Sequence, residues 1–182
     1  ILNVDDNEGV RYASPKLKIM GIEAIKSSTP AICRQALKEI FKRIIETDEE
    51  TVQNDIQNFK NVFSQASAEE VSFPRSVQNI LKWNDKKTIY KKGTPIHVRG
   101  ALMHNHLIDD QKLQRKVEKI HGGDKVKFTY LRKPNPTKEN VIAFVDFLPK
   151  QFKLEDYIDY NLQFEKTFIS AIEPVLTAVG WE

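Results

Sequence analysis

Cysteine, long apolar runs and repeated segments are what this sequence lacks. Cys33 is the single cysteine in 182 residues, so an internal disulfide is excluded. No apolar run approaches the roughly 20 residues that a membrane-spanning helix needs, and no secretory signal opens the chain. Internal repeats and low-complexity tracts are absent as well. These absences predict a cytoplasmic protein without disulfides and without a membrane partner.

The composition that is present is ordinary for a folded domain. Hydrophobic residues make up 40% of the chain and charged residues 29%, and 182 residues are enough to bury a real core. Cys33 lies among residues with helical periodicity. We therefore expect a packed, reduced thiol there and not a reactive one.

Charge is segregated along the chain behind a formal net charge of only +3. Residues 11–45 carry eight basic and two acidic side chains, whereas residues 46–70 carry one basic and seven acidic. Residues 82–138 carry fifteen basic and five acidic, and residues 146–182 carry three basic and seven acidic. A segment of net charge +10 beside two acidic ones indicates a nucleic-acid face and a second face turned away from it.

Short strands are predicted for the first 25 residues. The stretches 1–4 and 10–12 flank small polar residues at 5–9, which suit a hairpin turn. Lysines then alternate with Leu17 and Ile19, so residues 17–20 are predicted to form another strand with one charged face.

Two long helices are predicted next. Apolar residues recur at intervals of three and four from Ile32 to Ile45, with Arg34, Lys38 and Lys42 largely on the other side. Thr47 and Glu50 have the spacing of a capping box for a second helix. The apolar stripe of that helix consists of Val52, Ile56, Phe59 and Phe63. The two helices should pack as an antiparallel hairpin.

The second half of the chain mixes both types of element. A polar connector is predicted at 65–73, a lysine-rich loop at 83–93, and a third helix after Pro95. Val126, Phe128 and Tyr130 alternate with polar residues as in a half-buried strand, and the apolar run 141–147 can pair with it beyond the break at 134–136. A final helix is predicted from about Glu155 to Val179. The fold class is therefore α+β.

The segment around residues 26–30 has the character of a phosphate-binding site. Ser27, Ser28 and Thr29 offer a helix cap, with Pro30 in the first helical turn. A helix start carries free N–H groups and a partial positive charge, which suit a phosphate. An ordinary capped helix would show the same local pattern.

The runs that surround this segment resemble the start of the thumb in family B DNA polymerases of T-even-type bacteriophages. They are Lys16-Leu17-Lys18-Ile19-Met20-Gly21-Ile22-Glu23 and Lys26-Ser27-Ser28-Thr29-Pro30, preceded by Arg11-Tyr12-Ala13-Ser14-Pro15. Further matches are Pro74–Ile80, Pro95–Leu102 with Asn105, Gly123–Val126, Tyr157–Tyr160 and Phe164–Phe168. Because the matches follow in order over nearly the whole chain, they are more specific together than any one alone.

The resemblance implies a domain organisation. Residues 1–25 would be the end of the palm, a β-hairpin and a strand, and residues 26–182 would be the thumb. The thumb would contain a helical hairpin, a basic loop and helix, a small β region and a C-terminal helix. Its partners would be primer–template duplex and the remaining N-terminal polymerase domains, in the cytoplasm of a host cell.

The same resemblance implies contacts with duplex DNA in three segments. The matching positions are Lys26, Ser27, Ser28 and Thr29, then Ser76 and Asn79, then Thr94, His97, Arg99 and Gly100. Lys and Arg would bind phosphates, short polar side chains phosphate or sugar, and Gly100 would permit close backbone approach. Lys26 and Arg99 are the strongest of these, because a cation among small residues has few structural duties. Arg75 is not included, because the family varies there.

Catalytic carboxylates are not expected in this chain. Polymerases hold two divalent metal ions with carboxylates that the family supplies from an Asp-Thr-Asp-Ser turn and an earlier palm strand, and neither motif occurs here. The chain alone should thus need no cofactor and be inactive, whereas the complete polymerase would use magnesium. The missing motifs suggest a C-terminal piece that begins at Ile1, either a natural split subunit or an excised fragment. The chain ends at Trp181-Glu182 without the family's tail that binds the sliding clamp, so a sliding clamp stays open as a further partner.

Other interpretations stay open at this point. Trp83, Tyr90, Phe128 and Tyr130 near basic residues could stack on single strands in an independent nucleic-acid-binding protein, or form packing. Alternatively, the acidic helices could dock a partner in an interaction scaffold. Taken singly, Ser76 could cap a short helix, Asn79 could satisfy a buried backbone group, and His97 could be a packed core histidine. A metal site at His104, His106, Asp109 and Asp110 is rejected, because helix positions two apart point to nearly opposite sides.

Overall fold

The protein is described by a computed structural model that covers residues 4–5, 11–12 and 17–182. Within these residues the chain combines helices with small antiparallel sheets, which is an α+β fold. The helices are α1 (Ala31–Glu46), α2 (Glu49–Gln65), α3 (Ala68–Val71), α4 (Ile80–Trp83), α5 (Ile96–Asp110), α6 (Tyr160–Phe164) and α7 (Ser170–Ala178). The strands are β1 (Val4–Asp5), β2 (Arg11–Tyr12), β3 (Phe73–Ser76), β4 (Asn84–Asp85), β5 (Ile89–Tyr90), β6 (Lys125–Tyr130) and β7 (Val141–Phe144). No helix of the described part is long and apolar enough to cross a membrane.

The predicted helical hairpin is present as α1 and α2, which pack against each other. The apolar stripe of α1 is buried except at its ends, where Ile32 is partly buried and Ile45 is exposed. Arg43 Nε donates to Asp55 Oδ2 of α2 at 2.9 Å. The capping prediction was wrong by one residue, because Asp48 and not Thr47 caps α2, accepting a bond from Thr51 N at 2.8 Å. Thr47 instead ends α1, where its hydroxyl donates to the Arg43 carbonyl. Two adjacent residues with capping side chains made this choice ambiguous in the sequence.

A helical core forms where α1 and α2 meet the C-terminal helices. Its largest fully buried side chains include Leu37, Phe63 and Phe168. Cys33 is part of this core, and burial raises the pKa of its thiol to about 11, as expected of a packed, reduced cysteine. Ala24 is also buried in this core, and Ile19 and Ile22 pack against the core from outside. The segment 17–25 therefore folds onto the helices.

The three-stranded sheet has the order β3-β6-β7 and is antiparallel throughout. The predicted pairing of the two apolar runs is confirmed, since Phe128 faces Ala143 and Tyr130 faces Val141. Because β6 is the central strand, Thr129 is fully buried although its polar character suggested a solvent-facing position. The sheet packs on α5, and Val98, Ala101, Val126, Phe128 and others form what we call the sheet core.

Gly100 sets how closely α5 approaches the sheet. A Cβ atom on this residue would lie 2.9 Å from Ala143 N and 3.0 Å from Ile142 C. Both are backbone atoms of β7, which cannot move aside as a flexible side chain can. The glycine therefore has a packing function inside the protein.

Three other local predictions need correction. Residues 17–20 form no strand in the structure, and a 3₁₀ turn follows at Glu23–Ile25. The polar connector contains α3, which begins with a capping box between Ser67 and Glu70. The lysine-rich loop contains the small hairpin β4–β5. Each of these elements is four residues or shorter, too short for periodicity to reveal it.

The C-terminal helix begins later than predicted and is irregular. After 3₁₀ turns at Lys150–Phe152 and Glu155–Tyr157, α6 starts at Tyr160 with Asp159 as its cap. A π-helical turn at Glu165–Ile169 joins α6 to α7.

The N-terminal hairpin prediction is also confirmed, since β1 and β2 pair through Val4 with Tyr12 and Asp5 with Arg11. The turn between these strands lies outside the described residues.

Candidate nucleic-acid interface

The segment 26–30 is a tight turn before α1. Thr29 N donates to the Lys26 carbonyl at 3.1 Å, so Lys26 and Ser27 stay exposed while Thr29 is buried. The predicted hydroxyl cap is wrong, because Pro30 itself is the N-cap residue of α1 and no side-chain capping bond is formed. A residue before proline is kept extended, which places Thr29 one position too early to cap. The turn therefore leaves the Lys26 and Ser27 side chains exposed to solvent.

Arg75 of β3 connects this turn to the sheet. Its Nη1 donates to the Ser28 carbonyl at 2.7 Å and to the Pro74 carbonyl at 2.7 Å. The guanidinium carbon lies 5.4 Å from the centre of the Phe73 ring and 5.6 Å from that of Phe128. Burial lowers the pKa of Arg75, although a guanidinium remains charged at neutral pH. Arg75 is not among the predicted contacts, because the polymerase family that the sequence resembles varies there, and a contact across 47 positions leaves no local signal.

Ser76 and Asn79 lie where the chain leaves β3, and both are exposed. Ser76 pairs with Lys125 in the sheet and caps no helix. Asn79 has left-handed backbone angles, φ 55° and ψ 34°, and its side chain forms no cap on α4. The hydroxyl and the amide are thus presented to solvent, as a contact with phosphate or sugar would need.

Asn79 also lines a groove of about 840 Å³ beside α4 and α5. Basic residues border this groove at Lys82, Lys86 and Lys119. Val77 N donates to the Asp124 carbonyl and Gly123 N to the Val77 carbonyl, at 2.9 and 2.7 Å. These two bonds fix the exit from β3 against the loop that precedes β6.

The start of α5 holds the third predicted segment. Thr94 is buried and its hydroxyl donates to the Lys91 carbonyl at 2.6 Å, while Pro95 is the N-cap residue. Gly100 faces β7, so the close approach predicted for DNA is made to the sheet instead. Of the four residues predicted here, His97 and Arg99 are the two that stay partly exposed.

His97 lies beside the same ring as Arg75. Its imidazole is 6.4 Å from the Phe128 ring, measured between centroids. Burial, and then the positive charge of Arg75, lower the pKa of His97, so the ring is neutral at pH 7. A neutral imidazole can donate one hydrogen bond and accept another, and an approaching phosphate would favour its protonated form.

Arg99 is held over an aromatic ring. Its guanidinium carbon lies 5.5 Å from the Tyr90 centroid, and the Tyr90 hydroxyl donates to Glu139 Oε2 at 2.6 Å. Among the described residues, Arg99 Nε is buried without a hydrogen-bond partner. Arg99 therefore packs against Tyr90 inside the protein, a contact that the sequence did not indicate. It keeps the positive charge that a phosphate contact would need.

Cations lie over aromatic rings at two further places. Lys82 lies 5.0 Å from the Trp83 ring and Lys166 lies 5.3 Å from the Tyr130 ring. Lys166 belongs to the π-helical turn, far from Tyr130 in sequence. Cation–π contacts restrict long side chains to few conformations, so the charges are presented in defined places.

The structure thus brings some predicted residues together and separates others. Contacts through Arg75 and Phe128 join the 26–29 turn to His97. Asn79 lies instead at the groove lined by Lys82 and Lys119. Thr29 and Thr94 are buried, and their hydroxyls are poorly placed for a ligand from solvent.

The polar side chains of His104 and Asn105 bond to backbone groups of the protein. His104 Nδ1 lies 2.9 Å from the Ala143 carbonyl and Nε2 lies 3.0 Å from the Glu118 carbonyl. The Asn105 amide exchanges two bonds with the backbone of Ile120. In the part of the chain that the structure describes, no group of three or more His, Cys, Asp or Glu side chains is placed to hold a metal ion.

No protein-family profile matches the chain. Two DNA-directed DNA polymerases are similar to it, however. That of Enterobacteria phage T4 is 32% identical over 185 residues, which cover all of this chain and 20% of the phage protein. That of Escherichia phage RB69 is 36% identical over 181 residues, which cover 97% of this chain and 20% of the phage protein. The chain spans about a fifth of the length of these relatives.

Proposed function

Because this chain is related along its whole length to one region of the DNA polymerases of T-even-type bacteriophages, we propose that it is the part that grips duplex DNA. In this proposal residues 26–182 are a family B thumb and residues 1–25 are the end of the palm. The thumb holds the primer–template duplex behind the active site through phosphates and sugars. It reads no base sequence, since a polymerase must move along any template.

The observation that carries the proposal is the meeting of three distant segments around Phe128. The 26–29 turn, Arg75 and His97 at the start of α5 contact one another there, directly or through the ring. Arg75 connects the segments, and the polar groups that remain for DNA are an ammonium, hydroxyls and an imidazole, with no carboxylate among them. Such groups bind phosphate and sugar oxygens at any sequence.

The cation–ring contacts favour duplex over single-stranded DNA as the ligand. Tyr90, Trp83 and Tyr130 each have a cation over the ring. A base of a single strand would have to displace that cation to stack on the ring. The phosphates of a duplex backbone could instead approach the cations where they already lie.

Bond formation is assigned to other parts of the polymerase. The described residues offer no carboxylate cluster for the two divalent metals that nucleotide transfer requires. This chain would contribute binding and orientation of the duplex. Magnesium and the incoming nucleotide would be bound by the remaining N-terminal domains, its proposed partners.

The experiment is a binding titration by fluorescence anisotropy on primed duplex and on single strand, repeated at several salt concentrations. If about four phosphates are neutralised, log K should fall with log salt with a slope of roughly −3.6 on duplex. A Lys60→Ala variant is the matched control, because Lys60 is the single basic residue in the acidic segment 46–70. Binding that ignores salt, or that prefers one base sequence strongly, would contradict the proposal.

A second assay tests the division of labour. The purified chain, primed template, magnesium and all four nucleotides should give no primer extension. Reproducible extension that copurifies with the chain would show that the chain is catalytic by itself and would overturn the assignment.

A further inference from the structure

Arg75 occupies an unusual place for a cation on an edge strand. It lies in β3, and its register partner in β6 is Val126. Instead of extending into solvent, the side chain is partly buried and Nη1 donates both of its protons to backbone carbonyls. One carbonyl belongs to the adjacent Pro74, and the other to Ser28 in the turn before α1.

Two aromatic rings lie beside the guanidinium. Phe73 and Phe128 are directly opposite in the sheet, and their rings stack at 5.0 Å with an angle of 22°. The guanidinium carbon lies within 5.6 Å of both ring centres. A planar group with several N–H donors can stack and bond two carbonyls at once, whereas a lysine ammonium offers only a point charge.

The turn that Arg75 reaches joins an exposed pair of residues to a buried pair. Lys26 and Ser27 are exposed, whereas Thr29 and Pro30 are buried. Thr29 N donates to the Lys26 carbonyl, and among the described residues no side chain caps α1. Ser28 lies between the two pairs, so a bond that fixes its carbonyl to the sheet restrains the direction in which Lys26 and Ser27 face.

We infer that Arg75 is a positioning residue that holds residues 26–29 in their DNA-binding conformation by fixing the Ser28 carbonyl to the sheet. The inference rests on the proposed grip of duplex DNA and adds the residue that preorganises it. Preorganisation raises affinity because the turn loses less conformational entropy when it binds. Arg75 acts on the DNA through the turn.

The test compares Arg75→Lys and Arg75→Ala with Arg115→Lys, a matched control at an exposed arginine. Duplex affinity is measured by anisotropy, and amide hydrogen exchange of a peptide that contains residues 26–29 is followed by mass spectrometry. We expect Arg75→Lys to keep the charge, lower affinity by about fivefold or more and speed exchange of the turn. The salt slope should stay as in the wild type for both Arg75 variants, since the number of phosphates contacted is unchanged.

Two results would overturn the inference. In the first, Arg75→Lys behaves like Arg115→Lys in both affinity and exchange. In the second, Arg75→Lys binds like the wild type while Arg75→Ala lowers the salt slope by about 1, which would make Arg75 a direct phosphate ligand. Circular dichroism and thermal unfolding of each variant show whether the fold is retained, and Arg75→Lys is the deciding variant should Arg75→Ala fail to fold.

Failure of the proposed function gives a different pattern. If the wild type binds no duplex, the grip proposal falls, and hydrogen exchange still decides whether Arg75 fixes the turn. Faster exchange in Arg75→Lys without any duplex binding would limit the residue to a structural role and remove its link to DNA.

Discussion

The helical core and the sheet core use aromatic residues differently. In the helical core Phe59 lies 4.8 Å from Phe168, and Phe63 lies 5.3 Å from Phe164, so rings contact rings. Around the sheet core Phe73 and Phe128 also stack on each other, but rings there contact cations as well, as with Arg75 on Phe128 and Lys166 on Tyr130. Both regions bury apolar surface, and around the sheet core charge lies against the rings themselves.

The difference shows how one residue type can serve stability or binding. A ring enclosed on all sides contributes burial and dispersion, and its removal leaves a cavity. A ring at the edge of a core is packed on one face and free to hold a guanidinium or ammonium on the other. The position of the cations relative to the rings therefore separates the region that stabilises the fold from the region proposed to bind DNA.

The largest expected effect is on stability when an enclosed ring is removed. Phe63 is fully buried and contacts Phe59, Tyr160 and Phe164. Phe63→Ala should lower the free energy of unfolding by about 3–5 kcal/mol. Tyr130→Ala, at a half-buried ring, should cost about 1–2 kcal/mol. Urea unfolding at 25 °C measures both, and equal losses would remove the distinction between the two cores.

A second prediction concerns how α5 meets the sheet. Gly100→Ala should destabilise by about 1–3 kcal/mol, because the new Cβ meets the backbone of β7 at 2.9 Å. The same urea measurement applies. Asn54→Ala, at an exposed position inside α2, is the control for helix propensity and should be neutral or slightly stabilising. A stabilised Gly100→Ala protein would mean that α5 and β7 can separate without loss.

Much of the fold was predictable because its long elements have strong periodicity. The apolar stripe from Ile32 to Ile45 identified α1, and the stripe from Val52 to Phe63 identified α2. The alternation from Val126 to Tyr130 identified β6. The alternation at 17–20 was misleading, because Ile19 packs on the helical core, the other three residues are exposed, and no described strand pairs with them. A period of two indicates a strand only where another strand is available to pair with it.

The candidate site was less predictable than the fold. Lys26 and Arg99 were chosen for their charge and neighbours in sequence, and both stay at least partly exposed. Arg75 was left out, although its contact with Ser28 now connects the segments. Thr94 and Gly100 match the family motif but are used inside the protein. Motif positions do not tell which side chains face solvent, since that depends on packing between distant elements.

The third prediction asks whether a cation on a ring still binds phosphate. Arg99→Ala should reduce the salt slope of duplex binding by about 1, since one phosphate contact is lost. Tyr90→Phe keeps the ring under Arg99 and removes the hydroxyl with its hydrogen bonds, so the cation is retained and the slope should match the wild type. An unchanged slope in Arg99→Ala would mean that Arg99 only packs against Tyr90 and binds no phosphate. The difference between the two cores would then be smaller than proposed.

The smallest expected effect is a pH dependence of the free energy of unfolding, caused by two histidines of α5. Burial lowers the pKa of His104 despite its two carbonyl contacts, and burial and Arg75 lower that of His97. Below the ordinary histidine pKa of about 6.5 the unfolded chain therefore binds more protons than the folded one, so stability falls as the pH falls. Urea unfolding between pH 7.5 and 5.5 should show this decrease, in a range above the titration of most carboxylates. In His104→Gln the decrease should become smaller, whereas His106→Gln, at an exposed position on the same helix, should keep it. A His104→Gln protein with the full wild-type decrease would show that this histidine is not responsible for the acid sensitivity of the sheet side.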